Sequence, residues 1–349
     1  SAYKLLHCIL FGITMKSNIK PLVSILTPAW NRSAYLEKVW AGLDAQVYSE
    51  IEWIVANDGS TDDTAKVCLE LKRKSRFPVT IIEANLRVGK PRMDNELIKA
   101  AKGDFLIWCD SDDYLLPGAI ERLVSVWESI PATDQASYIG LTALCATEEG
   151  VLQSTPSSRL GIFDTTWSEL DDIYQAKGDK LFFVKAEKIK NSRFVEGDFM
   201  VTEGSMWFNF FEMKTKYIPE IMKIMDRGAS NRISFSGKME YCRGKAYGLA
   251  ICEKIKPTVQ GFNIEFIWKL ITYHRYCING DIGVREARNL WSGNVGLIFW
   301  LTFYPLGLLF AIKDLAQGKV VKTHIEYDKN IKLVCIRIID SDISGAVNV

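Results

Sequence analysis

Histidine is scarce in this chain: three residues in 349 (His7, His274 and His324), far apart in sequence. A zinc centre of the His/Cys kind is therefore not expected. None of the eight cysteines falls into a C-x-x-C pair, and several sit in apolar runs. They are expected to be reduced, buried thiols of a cytosolic protein rather than disulfides or a redox site. Charge of one sign is missing too. The net charge of +1 supplies no global field for nucleic acid or an anionic surface. The chain has neither G-x-G-x-x-G nor a Walker A loop after its first strand, where TPAWNR stands instead. That excludes the usual dinucleotide and P-loop sites. No internal repeat or low-complexity linker occurs. What is present is globular in kind: 48% hydrophobic and 24% charged residues, enough for a sizeable core in one large domain or two modest ones.

The ends are less ordinary. Residues 1–14, SAYKLLHCILFGIT, precede Met15-Lys16-Ser17-Asn18, which reads like a natural start. The first fourteen are read as an upstream extension or an expression remnant. A signal peptide is not expected, because Lys4 is the only basic residue before a short apolar run and no small-residue cleavage pattern follows. The tail at 319–349 holds one strand-like run, IKLVCIRII, with no role readable from sequence.

From Leu22 to about Trp127 strand and helix alternate. LVSILT, IEWIVA, PVTIIEA and GDFLIWC read as strands. RSAYLEKVWAGLDAQ has helical spacing, with Leu36, Val39, Trp40 and Leu43 on one face. TDDTAKVCLELKRK is predicted as a helix with Ser60 or Thr61 as N-cap, RMDNELIKAAK as another, and GAIERLVSVWESI as a third with Pro117 near its first position. The pattern implies right-handed βαβ crossovers and a parallel sheet. Farther on, SYIGLTALCAT, KLFFVKAEKI and KYIPEIMKIMD suggest strands, TEGSMWFNFFEMK a helix capped by Thr202, and Tyr241 to about Ile278 an aromatic-rich helical region.

Ligands of open parallel sheets sit beyond the carboxyl ends of the strands, and the polar residues gather there. Strand one ends in Pro28-Ala29-Trp30-Asn31-Arg32, strand two in Asn57-Asp58-Gly59-Ser60, and strand four in Asp110-Ser111-Asp112-Asp113. In an extended chain, Asp110 and Asp112 face one point. Carboxylate oxygens suit Mg²⁺ or Mn²⁺, which keep positions for phosphate oxygens. The competing reading makes these acids caps of the following turn and helix.

PLVSILTPAWNR, IEWIVANDGSTDDT and NLRVGKPRMDNELIKAAKGDFLIWCDSDD, in this order and spacing, resemble the family 2 inverting glycosyltransferases with the GT-A fold. The resemblance runs from about Pro21 to Gly118. It implies an α/β fold, a Rossmann-like, mixed, mostly parallel sheet flanked by helices, with a helical C-terminal region. It also implies a nucleotide-sugar donor, expected here as a UDP-sugar. Pro28 and Trp30 would line the base pocket, Trp30 standing where the family usually has Tyr. Asp58 would bond the base, although Asn57 departs from the usual Asp. Lys90 would face the donor, Asp110 the ribose or sugar, and Asp112 the metal. Asn31, Arg32 and Ser111 belong to the same donor-binding set. Taken alone, Trp30 could simply pack and Lys90 could be a solvated helix start.

Inverting transfer needs one general base near the acceptor hydroxyl and stabilisation of the leaving diphosphate. RFVEGDFMVTEGSMWFNFF resembles the family segment that carries an acid before an aromatic helix. Glu203 is the expected base, with Glu196 and Asp198 as rivals and a helix-stabilising acid as the alternative. The domain scheme is a GT-A unit over 15–235 (donor half about 20–130, acceptor half about 131–235) and a helical region over 236–318. Asn289 to Ile312 has no charged residue. It reads as interfacial helices, against a transmembrane helix or a buried hairpin, with Trp291, Trp300 and Tyr304 suited to an interface. The expected setting is cytoplasmic, peripheral on the inner face of the cell membrane, with a glycan or lipid-linked saccharide as acceptor. A glycoside hydrolase and an inactive nucleotide- or glycan-binding relative are the alternatives.

Overall fold

A computed structural model describes residues 20–196, 201–226, 242–255, 264–291, 296–320 and 336–339. Residues 1–14, Asp198, His7, His324, Cys8 and Cys335 lie outside these. The alternation expected of the first half is present: β1 (Val23–Ala29), α1 (Leu36–Asp44), β2 (Ile51–Asp58), α2 (Thr64–Lys74), β3 (Val79–Ala84), α3 (Lys90–Ala100) and β4 (Phe105–Trp108). Strands β1 and β2 are buried along their whole length, as strands covered by helices on both faces must be. Their alternate residues feed two cores. Ile25, Trp53 and Val55 join Leu36, Val39 and Leu43 on one face. Leu26, Ile54 and Ala56 join Met93 and Leu97 of α3 on the other.

The chain continues through β5 (Asp113–Leu115), α4 (Ala119–Glu128), β6 (Tyr138–Ala146), β7 (Phe163–Thr166), α5 (Trp167–Asp172), β8 (Lys180–Lys185), α6 (Ala186–Ile189), α7 (Gly204–Trp207) and β9 (Lys214–Met225). With β10 (Ile336–Ile339) they form one ten-stranded sheet of order β10-β3-β2-β1-β4-β8-β6-β9-β5, with β7 also on β9. Pairing is parallel among β3, β2, β1 and β4. It turns antiparallel at β4–β8 and β8–β6, so the sheet is mixed. β10, from the IKLVCIRII run, covers the β3 edge antiparallel.

Helices α8 (Cys242–Ile255), α9 (Ile264–Asn279), α10 (Val284–Leu290), α11 (Leu297–Thr302) and α12 (Tyr304–Ala316) follow. They share a core of Ala246, Phe266, Leu270, Tyr273, Trp291 and Trp300. His274 belongs to it: its Nε2 lies 3.0 Å from the Trp300 carbonyl, and burial lowers the imidazole to about 4.

Several local expectations change. Helix α2 starts at Thr64 with Asp63 at the N-cap. Ser60 and Thr61 bond Asn31 instead. Pro117 precedes the left-handed N-cap Gly118 and is outside α4. TEGSMWFNFF gives one α-turn whose N-cap is Glu203, not Thr202, then a 3₁₀ turn at Phe208–Phe210. Trp291 and Trp300 are 1% and 0% exposed, so they build the helical core rather than an interface. The aliphatic side chains face outward: Ile298, Leu309, Leu297 and Ile312 are all more than half exposed. Leu297–Ala316 is long and apolar enough to cross a membrane by length and composition, with 22% of its apolar window buried. A buried hairpin does not describe it.

Candidate active site

The carboxyl ends of β1, β2 and β4 meet at one rim because the strands are parallel neighbours. β1 ends in buried Pro28 and half-buried Trp30. Asn31 follows in the left-handed region (φ 53°), which asparagine tolerates better than most residues. Its Oδ1 accepts the Thr61 N–H at 2.9 Å and its own N–H donates to Ser60 Oγ at 2.9 Å. This ties the ends of β1 and β2 together. Arg32 is 8% exposed, and its N–H donates to Thr64 Oγ1 at 2.8 Å.

Asp58 is buried, and its carboxylate grips the loop between β3 and α3. Oδ1 accepts the Val88 N–H at 2.6 Å and Oδ2 the Gly89 N–H at 2.9 Å. Burial raises its carboxyl, with these N–H groups and Arg87 pulling the other way. Gly59, at φ +59°, lets the two loops touch: a Cβ there would lie 2.3 Å from the Leu86 carbonyl carbon. The loop carries Arg87, whose guanidinium lies 3.5 Å from the Trp30 ring centroid. Sequence reasoning missed Arg87. Its one signal was a cation in the loop leaving the third strand at the ligand edge.

The acids after β4 are in a turn, closed by the Asp113 N–H on the Asp110 carbonyl at 2.9 Å. Alternation of side chains along an extended chain therefore does not place Asp110 and Asp112. Asp113 points inward and pairs with Lys223 of β9 at 2.8 Å; burial pushes its carboxyl up to about 6 against that ammonium. The pair fixes β5 on β9, which holds the turn. Ser111 is buried and Asp112 half-buried. The Asp112 carbonyl accepts the Asp226 N–H at 3.3 Å.

Lys90 is the hub. Its ammonium lies 2.6 Å from Glu203 Oε1, 3.3 Å from Asp94 Oδ2 and 3.5 Å from Asp110 Oδ1. Burial alone would lower it; Asp110, Asp94 and Glu203 raise it well above the ordinary lysine value. Burial would raise Asp110, yet Lys90, Lys223 and Arg32 hold it below the usual carboxylate range. Asp94, wholly buried and also accepting the Trp108 indole N–H at 3.2 Å, is pushed by burial up to about 7 against the pull of Lys90. The hub joins Glu203 to Asp110, so residues from both halves of the sheet meet. The charge partner of Glu203 is this lysine; a one-turn helix supplies no comparable dipole. The rival Glu196 is held by Arg92 at 2.8 Å and Asn95 at 2.6 Å, a strap between α3 and the segment before α7.

Among the described residues no group of three or more His, Cys, Asp or Glu converges as a metal cage. The donor set present in this turn is Asp110, whose buried Oδ1 lies 3.5 Å from the Lys90 ammonium, and the half-buried Asp112 two residues on. Hard carboxylate oxygens in this number fit Mg²⁺ or Mn²⁺ of the kind that one or two carboxylates share with phosphates and water.

A mixed sheet with its polar rim at the carboxyl ends of the parallel strands is the GT-A arrangement. Residues 24–139 match the model of glycosyl transferase family 2, the stretch that holds the three strand-end motifs. The GalNAc(5)-diNAcBac-PP-undecaprenol beta-1,3-glucosyltransferase of Campylobacter jejuni is 28% identical over 206 residues, 58% of this chain and 64% of that protein. The putative glycosyltransferase EpsH of Bacillus subtilis is 35% identical over 105 residues, 30% of each chain. The chain thus matches less than two thirds of these relatives' lengths. The crystal structure of S. aureus TarS 1-349 in complex with UDP-GlcNAc shares the fold, with a TM-score of 0.55 at 14% identity over 85% of this chain and 92% of that one.

Proposed function

We propose that this protein transfers a sugar, with inversion, from a nucleoside diphosphate sugar to a hydroxyl of a glycan or lipid-linked saccharide. The observation that carries the reading is the Lys90 hub, which holds Glu203 at 2.6 Å and Asp110 at 3.5 Å. In this reading one side of that contact belongs to the donor rim and the other to a segment that would face the acceptor. A UDP-sugar is the expected donor. Pro28, Trp30, Asn31, Arg32 and Asp58 would hold the nucleoside, with Lys90, Asp110 and Ser111 around the ribose, sugar and diphosphate.

Glu203 is half-exposed and can receive a proton. As the acceptor oxygen forms its bond to the anomeric carbon, its proton passes to the Glu203 carboxylate. The bond from that carbon to the β-phosphate oxygen breaks, and the electron pair leaves with the nucleoside diphosphate. Attack opposite the leaving group inverts the carbon. Lys90 supplies positive charge beside the reacting groups. Mg²⁺ or Mn²⁺, when bound at Asp112, offsets negative charge on the diphosphate.

The Campylobacter relative bears the name of an enzyme acting on an undecaprenol-linked glycan, which supports a lipid-linked acceptor here. A membrane surface fits the outward Ile298, Leu309 and Ile312 with Arg285, Lys313 and Lys319 nearby in sequence; basic residues flanking an apolar face suit anionic lipid. The protein would then work from the cytoplasmic side as a peripheral protein. The GT-A unit would span 15–235 and the surface-seeking helices 236–318.

A thermal-shift panel of UDP, GDP, CDP and dTDP, each with and without Mn²⁺, tests the donor. Stabilisation by one nucleotide that needs the ion is expected, because ligand binding only to the folded state raises its stability. No shift with any of them removes the donor site.

A further inference from the structure

The proposed transfer gives no task to Asp94. It sits one helical turn after Lys90 on α3 and is 0% exposed, so no substrate atom reaches it. A well-packed apolar side chain would be at least as stable in such a place, and aspartate is a poor helix former. Stability does not explain the acid.

Its contacts do. Asp94 Oδ2 accepts from the Lys90 ammonium at 3.3 Å, and Oδ1 accepts from Trp108 Nε1 at 3.2 Å. An ammonium has three N–H groups to donate, and three carboxylates lie around this one: the buried Asp94 and the more exposed Asp110 and Glu203. Lysine's stem is flexible, so the buried acid is what fixes where the charge stands. Trp108 in turn packs edge-on against Trp207, with centroids 5.0 Å apart, and Trp207 closes the single turn α7 that Glu203 caps. The contacts form a closed ring from Asp94 through Lys90 to Glu203, then through Trp207 and Trp108 back to Asp94.

We infer that Asp94 is a positioning residue for the transfer: through Lys90 it sets the ammonium between the donor-side Asp110 and the base Glu203. The inference rests on the transferase reading. Its consequence is that Asp94 matters only while Lys90 is present.

A double-mutant cycle of Asp94→Asn and Lys90→Met tests this, read as nucleoside diphosphate release from UDP-, GDP- and dTDP-sugars with water as acceptor. Asp94→Asn keeps the shape and an oxygen for Trp108. It is expected to lower kcat/KM at least tenfold in the wild-type background and less than twofold in the Lys90→Met background, without lowering Tm. Coupling of that kind belongs to groups that act as a unit. An unchanged Asp94→Asn enzyme, or equal losses in both backgrounds, overturns the inference. A second readout needs no turnover: the ¹⁵N-detected signal of a held Lys90 ammonium, expected in the wild type and lost in Asp94→Asn. Its persistence in the variant, or absence from the wild type, overturns the inference as well. A wild-type protein that releases no diphosphate from any donor sinks the transferase reading instead, while the ammonium signal still reports on Asp94.

Discussion

Glu203 and Asp94 both pair with one ammonium, and their substitutions should separate cleanly. Glu203→Gln keeps the shape and removes the proton acceptor. Its kcat should fall by about 10²–10⁴ while UDP still raises Tm as in the wild type; equal turnover by this variant assigns the base elsewhere. Asp94 makes a different claim, about stability. Its carboxyl is raised from 3.8 to about 7, so the folded state binds more protons than the unfolded state between those values, and Asp94's share of stability falls as pH rises through that window. Asp94→Asn removes this share. The gain in Tm of the variant over wild type should be near zero at pH 4 and grow steadily as pH rises toward 8. A gain that is flat with pH counts against the buried carboxylate. Glu203 stands out as an acid before an aromatic run, a pattern visible in sequence; its contact with Lys90 is not visible there. Asp94 has no such pattern. Its only sequence trace is a Lys–Asp pair four apart in KPRMD, which on an average helix lies in solvent.

At the scale of elements, the order of strands and helices in the first half could be read because each crossover is local and each buried strand is an unbroken apolar run. Contacts between distant segments could not. The turn Asp110–Asp113 depends on Lys223 across a strand pair. Glu203 meets a lysine 113 residues earlier. Trp291 and Trp300 looked interfacial because sequence alone does not say which side of a helix finds partners. Two glycines make predictions here. Gly59→Ala forces a Cβ against the Leu86 backbone at a left-handed position. It should cost about 1–3 kcal/mol and weaken nucleotide binding more than tenfold, because the Asp58 grip on the Val88–Gly89 loop shifts; unaltered UDP binding would show that this loop is not part of the donor site. Gly248 of α8 lies against Thr202, its added Cβ only 2.5 Å from Thr202 Oγ1. Gly248→Val should lower turnover more than donor affinity, and adding Thr202→Gly should recover part of the loss.

The whole molecule pairs a polar rim with an apolar helical flank. The bare aliphatic side chains of α11 and α12 predict co-sedimentation with anionic phospholipid vesicles. Replacing Leu309 and Ile312 together by Glu should lower the bound fraction several-fold and leave hydrolysis of a soluble donor unchanged. Equal binding by that variant places the membrane contact elsewhere.

The sheet itself carries one more consequence. The strand that ends in the donor acids and the strand β9 that braces them share a single run of hydrogen bonds, from β3 through β4, β8 and β6 to β9. Among the described residues the donor-side strands and the bracing strand β9 therefore belong to one continuous sheet, and Lys223 of β9 reaches Asp113 from within it. A shared sheet holds the ammonium and its carboxylates on a common frame. New acceptor preferences can therefore arise by altering short segments on that frame while the distance between ammonium and carboxylates stays as it is.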